Sequence, residues 1–335
     1  MNRRDLMVML GNAALVLPLS TQAQQPTPRR LAFVHSGIPA DQLTETAGPF
    51  WVRRFFQTLG ELGDVEGRNL VVERYSAEGR ADRFAAIAEL VVRGKPDVIV
   101  ANFNPLVHAL KEATETIPII AIIGDPIRSG LVENLGRPGG NLTGVSVDAG
   151  VEIYGKELQI LKEVIPAATK IAYLGTSGQA EASWVPVPAL REAGRRLGIA
   201  LVSPLDQEVS EPAIRRAFAE MAQQQVDAIV VSAEGSTIAH RALIVELAAR
   251  SRLPTLYPYR DYVEEGGLMA YAPDLSELAK RMAEDVHQIL TGAKAGDIPI
   301  TQPTKFELII NLKTAKTLGL TIPQSLLMRA DEVIQ

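Results

Sequence analysis

The sequence predicts an α/β protein of two doubly wound, Rossmann-like lobes joined by a hinge. At 335 residues the chain exceeds the usual size of one domain. From Leu31 onward, short apolar runs alternate with amphipathic stretches, the pattern of parallel strands covered by helices on both faces. The alternation also runs twice: "PDVIVANFNP" at 96–105 returns as "VDAIVVSAEG" at 226–235.

Taken in order, the first copy reads as strand "LAFVHSG", helix 47–62, strand "LVVERYS", helix 80–94, strand "DVIVANF", helix 105–115 and strand "IPIIAIIGD". The second reads as strand "TKIAYLGTS", helix 186–197, strand "IALVSPL", helix 210–224, strand "DAIVVSAEG", helix 236–251 and strand "LPTLYPY". In each copy a proline, Pro118 or Pro254, opens the strand after the third helix. The Gly/Pro-rich segment 124–146 suits a chain crossing between lobes. After "GGLMAYAPD" comes a long amphipathic helix, about 274–291, and the tail offers one more strand and a short helix that stops at Gly319.

The expected organisation is a leader at 1–23, a first lobe at 24–145, a second at 146–270, and crossover plus long helix at 271–300. The tail, near 300–335, is expected to return to the first lobe.

The first residues differ in kind from the rest. Arg3 and Arg4 precede an apolar stretch, Leu6 to Leu19, too short to span a bilayer comfortably, and Thr21 and Ala23 stand where export signals are cut. These features predict a cleaved export signal, with the paired arginines suggesting the twin-arginine route. A retained N-terminal anchor is the alternative. There is no cysteine, which excludes disulfides, thiolate metal sites, thiol nucleophiles and a lipidated cysteine tether.

Without Arg3, Arg4 and Asp5 the charge balance is 32 basic against 38 acidic residues. That sign argues against nucleic acid or an anionic membrane surface as partner.

Catalytic and cofactor motifs do not emerge. The four histidines have no metal-ligand spacing, no phosphate-binding glycine fingerprint follows a strand, and "GVSVD" lacks the closing glycine of a nucleophile elbow. No catalytic residue, metal or cofactor is therefore expected.

Ligands of open α/β sheets bind beyond the carboxyl ends of the strands, so a duplicated strand tip supplies two half-sites facing one cleft. The candidates are His35, Ser36, Asn102, Asn104, Asp125, Thr176, Ser177, Ser232, Glu234, Tyr259 and Arg260, with Phe103, Trp184 and Tyr271 as aromatic walls. Asp125 and Glu234 suit a ligand ammonium and Arg260 a carboxylate, a pairing for a zwitterion. The bland alternatives are that Asp125 caps its own turn and that Arg260 forms a surface ion pair.

"GDPIRSGLVENLGRPGGNLTGVS", with "PTKFELIINLKTAKTLGLTIPQSLLMRADEVIQ", resembles the substrate-binding proteins of ABC-type importers, in the group related to tryptophan and tyrosine binders. The resemblance runs from "RRDLMVMLGNAA" to "RADEVI". It implies a periplasmic binding protein fold of type I, a monomer that traps a small ligand such as an aromatic or branched-chain amino acid, or a related aromatic acid. Its partners would be a membrane permease and ATPase. Closure would turn on crossover strands near Gly144, Tyr271 and Pro303. Two rivals stay open, a free-standing sensor of the same fold and a cleft enzyme such as a glycosyltransferase.

Overall fold

A computed structural model describes residues 27–147, 152–175, 187–205 and 209–335. The leader expected at 1–23 and the candidates Thr176, Ser177 and Trp184 lie outside the described residues.

The first lobe contains β1 (Arg29–His35), α1 (Phe50–Glu61), β2 (Leu70–Ser76), α2 (Phe84–Gly94), β3 (Val98–Asn102), α3 (Asn104–Ala113), β4 (Ile119–Ile123) and β5 (Leu142–Ser146). Its sheet has the order β2-β1-β3-β4-β5 and is parallel throughout.

The second contains α4 (Glu152–Val164), β6 (Lys170–Leu174), α5 (Val187–Arg196), β7 (Ala200–Val202), α6 (Glu211–Gln223), β8 (Ala228–Val231) and α7 (Gly235–Ala239). It continues with α8 (Arg241–Arg250), β9 (Thr255–Tyr257), α9 (Arg260–Glu264) and β10 (Met269–Pro273). The chain ends with α10 (Leu275–Leu290), β11 (Phe306–Asn311), α11 (Leu312–Thr317), α12 (Gln324–Leu327) and β12 (Glu332–Ile334).

The sequence duplication is a structural one. Asp97 Oδ2 accepts from Arg30 N at 2.7 Å, and Asp227 Oδ2 accepts from Lys170 N at 2.8 Å, so each aspartate ties the start of its own strand to the neighbouring strand. Two residues earlier, Lys95 and Gln225 both take positive φ, 51° and 53°. Pro118 O accepts from Ile99 N and Pro254 O from Ile229 N, again in equivalent places.

The tail departs from expectation. The second sheet has the order β12-β11-β10-β9-β8-β6-β7, so residues 306–334 complete the second lobe instead of returning to the first. β11 pairs antiparallel with β10 and buries Leu308, Ile309 and Ile310; three consecutive apolar residues on a strand need both faces covered, and β10 would otherwise be a bare edge.

The element that returns to the first lobe is α10. Its stripe Leu278, Ala279, Met282, Ala283, Val286 and Ile289 packs with Val52, Phe55, Phe56 and Leu59 of α1. Three segments therefore cross between lobes: after β5, between β10 and α10, and at about 298–306 before β11. Gly144 is no free pivot, because it sits inside β5 and its carbonyl accepts from Thr301 N at 3.0 Å. Helix 236–251 is broken into α7 and α8 at His240, whose ring Nδ1 meets Ser236 O at 2.8 Å.

Candidate functional site in the interlobe cleft

The lobes meet along their strand tips. A Cβ on Gly37, after β1, would sit on the Gly235 carbonyl oxygen at the start of α7, and one on Gly235 would lie 2.5 Å from Ser36 Oγ. Gly79 faces Ala239 in the same way, and Arg260 of the second lobe lies 5.6 Å from the Phe50 ring of the first. Backbones this close describe a closed cleft.

One cavity, about 480 Å³ with its open mouth, lies between the lobes. His35, Ile38, Trp51, Asn102 and Ile122 line it from the first lobe, and Ile238, Arg241, Tyr259, Asp261 and Tyr262 from the second. A neighbouring cavity of about 560 Å³ is bounded by Tyr154, Glu157, Tyr173, Ser232, Tyr259 and Tyr271 of the second lobe, with Val147 and Pro273 at the crossovers. Tyr259 walls both.

The polar groups have distinct tasks. His35 is 2% exposed, and burial, with the charge of Arg241 next, holds its imidazole down at about 3. Neutral, its Nδ1 accepts from Gly37 N at 2.9 Å and Ile38 N at 2.8 Å, which fixes the turn that meets the other lobe. Asn102 Oδ1 accepts from Ser36 N at 2.8 Å while its Nδ2 donates to Ser36 Oγ at 2.9 Å, locking the tips of β3 and β1 together. Burial, with Glu264 next, raises Asp261 to about 6 in spite of Arg241 and Arg53 nearby.

Of the candidates, the cavities bring together His35, Asn102, Ser232, Tyr259 and Tyr271. The zwitterion clamp does not assemble. Asp125 Oδ1 accepts from Ile127 N at 3.1 Å and Arg128 N at 2.9 Å and so serves its own turn. Arg260 donates to Glu307 at 2.9 Å and also pairs with Glu332, so its charge is already neutralised. Phe103 takes φ 73°, and its ring meets Phe84 edge-on at 6.1 Å, within the core between the first sheet and α2 and α3 rather than in the cleft. Asn104 Oδ1 accepts from Gly124 N at 2.8 Å, joining the tips of β3 and β4. Glu234 is buried at the start of α7 beside Tyr173 and lines neither cavity.

Residues the sequence reading passed over are Trp51, Arg241 and Asp261, and above all Tyr154 and Glu157 of α4. The signal for α4 was available: Tyr154, Leu158 and Leu161 recur at helical spacing in "EIYGKELQILKEV" and all are buried.

Two like lobes shut on a tyrosine-walled cleft, joined by three crossings, define the class of two-lobed binding proteins with the type I periplasmic fold. A sequence model of the ABC transporter substrate binding proteins matches residues 51–334, and the chain belongs to that family. The tyrosine-binding protein of Clostridioides difficile (strain R20291) is 27% identical over 267 residues, which is 79% of this chain and 75% of that relative. An ABC domain from Streptococcus pneumoniae, solved with L-Trp, superposes with a TM-score of 0.77 at 26% identity, over 91% of this chain and 100% of that one. A conserved domain protein from Vibrio cholerae O1 biovar El Tor gives a TM-score of 0.80 at 25% identity, over 92% and 100%.

Proposed function

We propose that this chain is the exported solute receptor of an ABC importer. It takes an aromatic or branched-chain amino acid, or a related aromatic acid, from the periplasm and presents it to a membrane permease and its ATPase. It acts as a monomer, since one chain supplies both jaws. The observation that carries this reading is the cavity lined from both lobes at once. A ligand there contacts two bodies that otherwise meet through close glycine backbones and a few side chains such as Ile238 and Arg260, so its binding energy goes into closing them.

Aromatic and branched side chains suit the walls: Trp51, Ile38 and Ile122 on one side, Ile238, Tyr259 and Tyr262 on the other. The tyrosine-binding relative and the L-Trp complex support the same ligand class. The importer partner and the periplasmic location follow from the family and from the expected leader. Among the described residues no helix is long and apolar enough to cross a membrane.

Native mass spectrometry of the purified protein, followed by a thermal-shift screen of amino acids and aromatic acids, tests this. A ligand at about 100 times its Kd adds about 2.7 kcal/mol of stability by mass action, a rise of several degrees in Tm. A screen in which sugars or polyols stabilise the protein and no amino or aromatic acid does so would overturn the ligand assignment.

A further inference from the structure

We propose that the cavity under α4 is an ammonium subsite, in which Glu157 is the counter-ion for a basic nitrogen of the ligand and the surrounding tyrosines form its cage. This deepens the reading above and rests on the cleft holding a solute.

The wall composition carries the argument. Tyr154, Tyr173, Tyr259 and Tyr271 line the cavity with Ser232, and among the described lining residues Glu157 is the one ionisable group other than the tyrosines. Among the described residues that line it there is no lysine, arginine or histidine to neutralise a carboxylate. A half-buried carboxylate facing aromatic rings without a cation is an unfavourable arrangement that a ligand cation relieves twice, by ion pairing and by cation–π attraction.

A second observation points the same way. Tyr173 is 2% exposed and lines the cavity; its hydroxyl lies beside Ser232 but makes no well-formed hydrogen bond among the described residues. A buried phenol left over in a cavity wall is an acceptor waiting for an N–H donor. Burial of Glu157 raises its carboxyl to about 8, as expected of an acid whose cation is supplied only by the ligand. The ammonium-binding role expected of Asp125 is thereby moved to a residue with no competing task.

The test is calorimetric titration of the full chain and of Glu157→Gln with three probe sets. These are L-tyrosine and L-tryptophan; their deaminated acids, 3-(4-hydroxyphenyl)propanoate and 3-indolepropanoate; and amines without a ring, L-lysine and putrescine. Gln removes the charge with little change in shape, so its Tm should equal or exceed that of the parent and exclude misfolding as the cause of lost binding. The expected result is that the variant loses at least about 30-fold in affinity for amine-bearing probes and changes less than about threefold for any deaminated acid that binds.

Equal losses for both kinds of probe, or no loss for either, would sink the subsite while leaving the importer reading intact. Binding of lysine or putrescine alone, dependent on Glu157, would keep the subsite and remove the aromatic ligand. Binding only of amine-free solutes, or of no probe, would overturn the inference.

Discussion

At Gly37 and Gly235 a missing side chain is what lets the two lobes meet. Neither glycine takes a positive φ, so alanine is permitted by the backbone at both, and what it would strike belongs to the opposite lobe. Gly235→Ala should therefore leave the unliganded protein within about 0.5 kcal/mol of the parent. The same change obstructs closure with an overpacking penalty of about 1–3 kcal/mol, which weakens ligand binding about tenfold or more. Parallel thermal melts and titrations with the best ligand of the screen check this, and an alanine variant with unchanged affinity would mean that the closed contact is dispensable. At this scale the sequence pointed to strand tips, of which His35, Asn102, Ser232, Tyr259 and Tyr271 line the cavities, but not to what each polar group does there. His35 and Asn102 are at the cavity, yet both also spend their polar atoms on the loops that shape it. Arg260 looked available because its partners, Glu307 and Glu332, lie 47 and 72 residues away, beyond any local pattern.

Among the elements, α10 carries a charge where its packing asks for none. Asp285 is 0% exposed, its carboxylate oxygens have no hydrogen-bond partner among the described residues, and Arg281 one turn earlier is its ion-pair partner at 3.0 Å. Burial raises its carboxyl to about 7, with Arg281 only partly opposing. Between about pH 4, where the unfolded carboxyl titrates, and pH 7 the folded chain holds the extra proton, so stability falls as pH rises through that window. Asp285→Asn should flatten this dependence, raising stability at pH 8 by up to about 4 kcal/mol and changing nothing below about pH 4. Denaturant midpoints at pH 4, 6 and 8 decide it; equal slopes with pH for both proteins would show that Asp285 ionises normally. The helix itself was legible, since its apolar stripe is long and regular, but its destination was not. Amphipathic patterning states that a face is buried and leaves unsaid against which lobe, and the tail strand β11 lacked any mark assigning it beside β10. The same limit explains α4, a helix with ordinary periodicity that follows a crossing where the repeat had not yet resumed.

For the whole molecule, the open question is what holds the closed form. Of the ion pairs among the described residues, none joins the body of one lobe to the other; the nearest case, Lys305 with Asp274 at 3.1 Å, links two crossover segments. What spans the cleft is the close approach of Gly37 and Gly235, Ile238 packed on the core of the first lobe, and the Arg260–Phe50 contact at 5.6 Å, a half-buried cation–π pair worth about 1 kcal/mol. Contacts of that size leave the open and closed forms close in free energy, so that a ligand touching both lobes tips the balance. The duplicated strand tips then have a physical purpose: each lobe presents half of a wall, and neither half encloses a solute alone. Small-angle scattering should give a larger radius of gyration without ligand than with a saturating amount of the strongest solute from the thermal screen. Raising sodium chloride to about 0.5 M should leave the unliganded value unchanged, because the described residues hold no ion pair between the lobe bodies to be screened. A radius that is already compact without ligand, and that expands on adding salt, would mean that long-range charge, such as that of Arg241 and Arg53 around Asp261, closes the molecule and that the ligand only fills it.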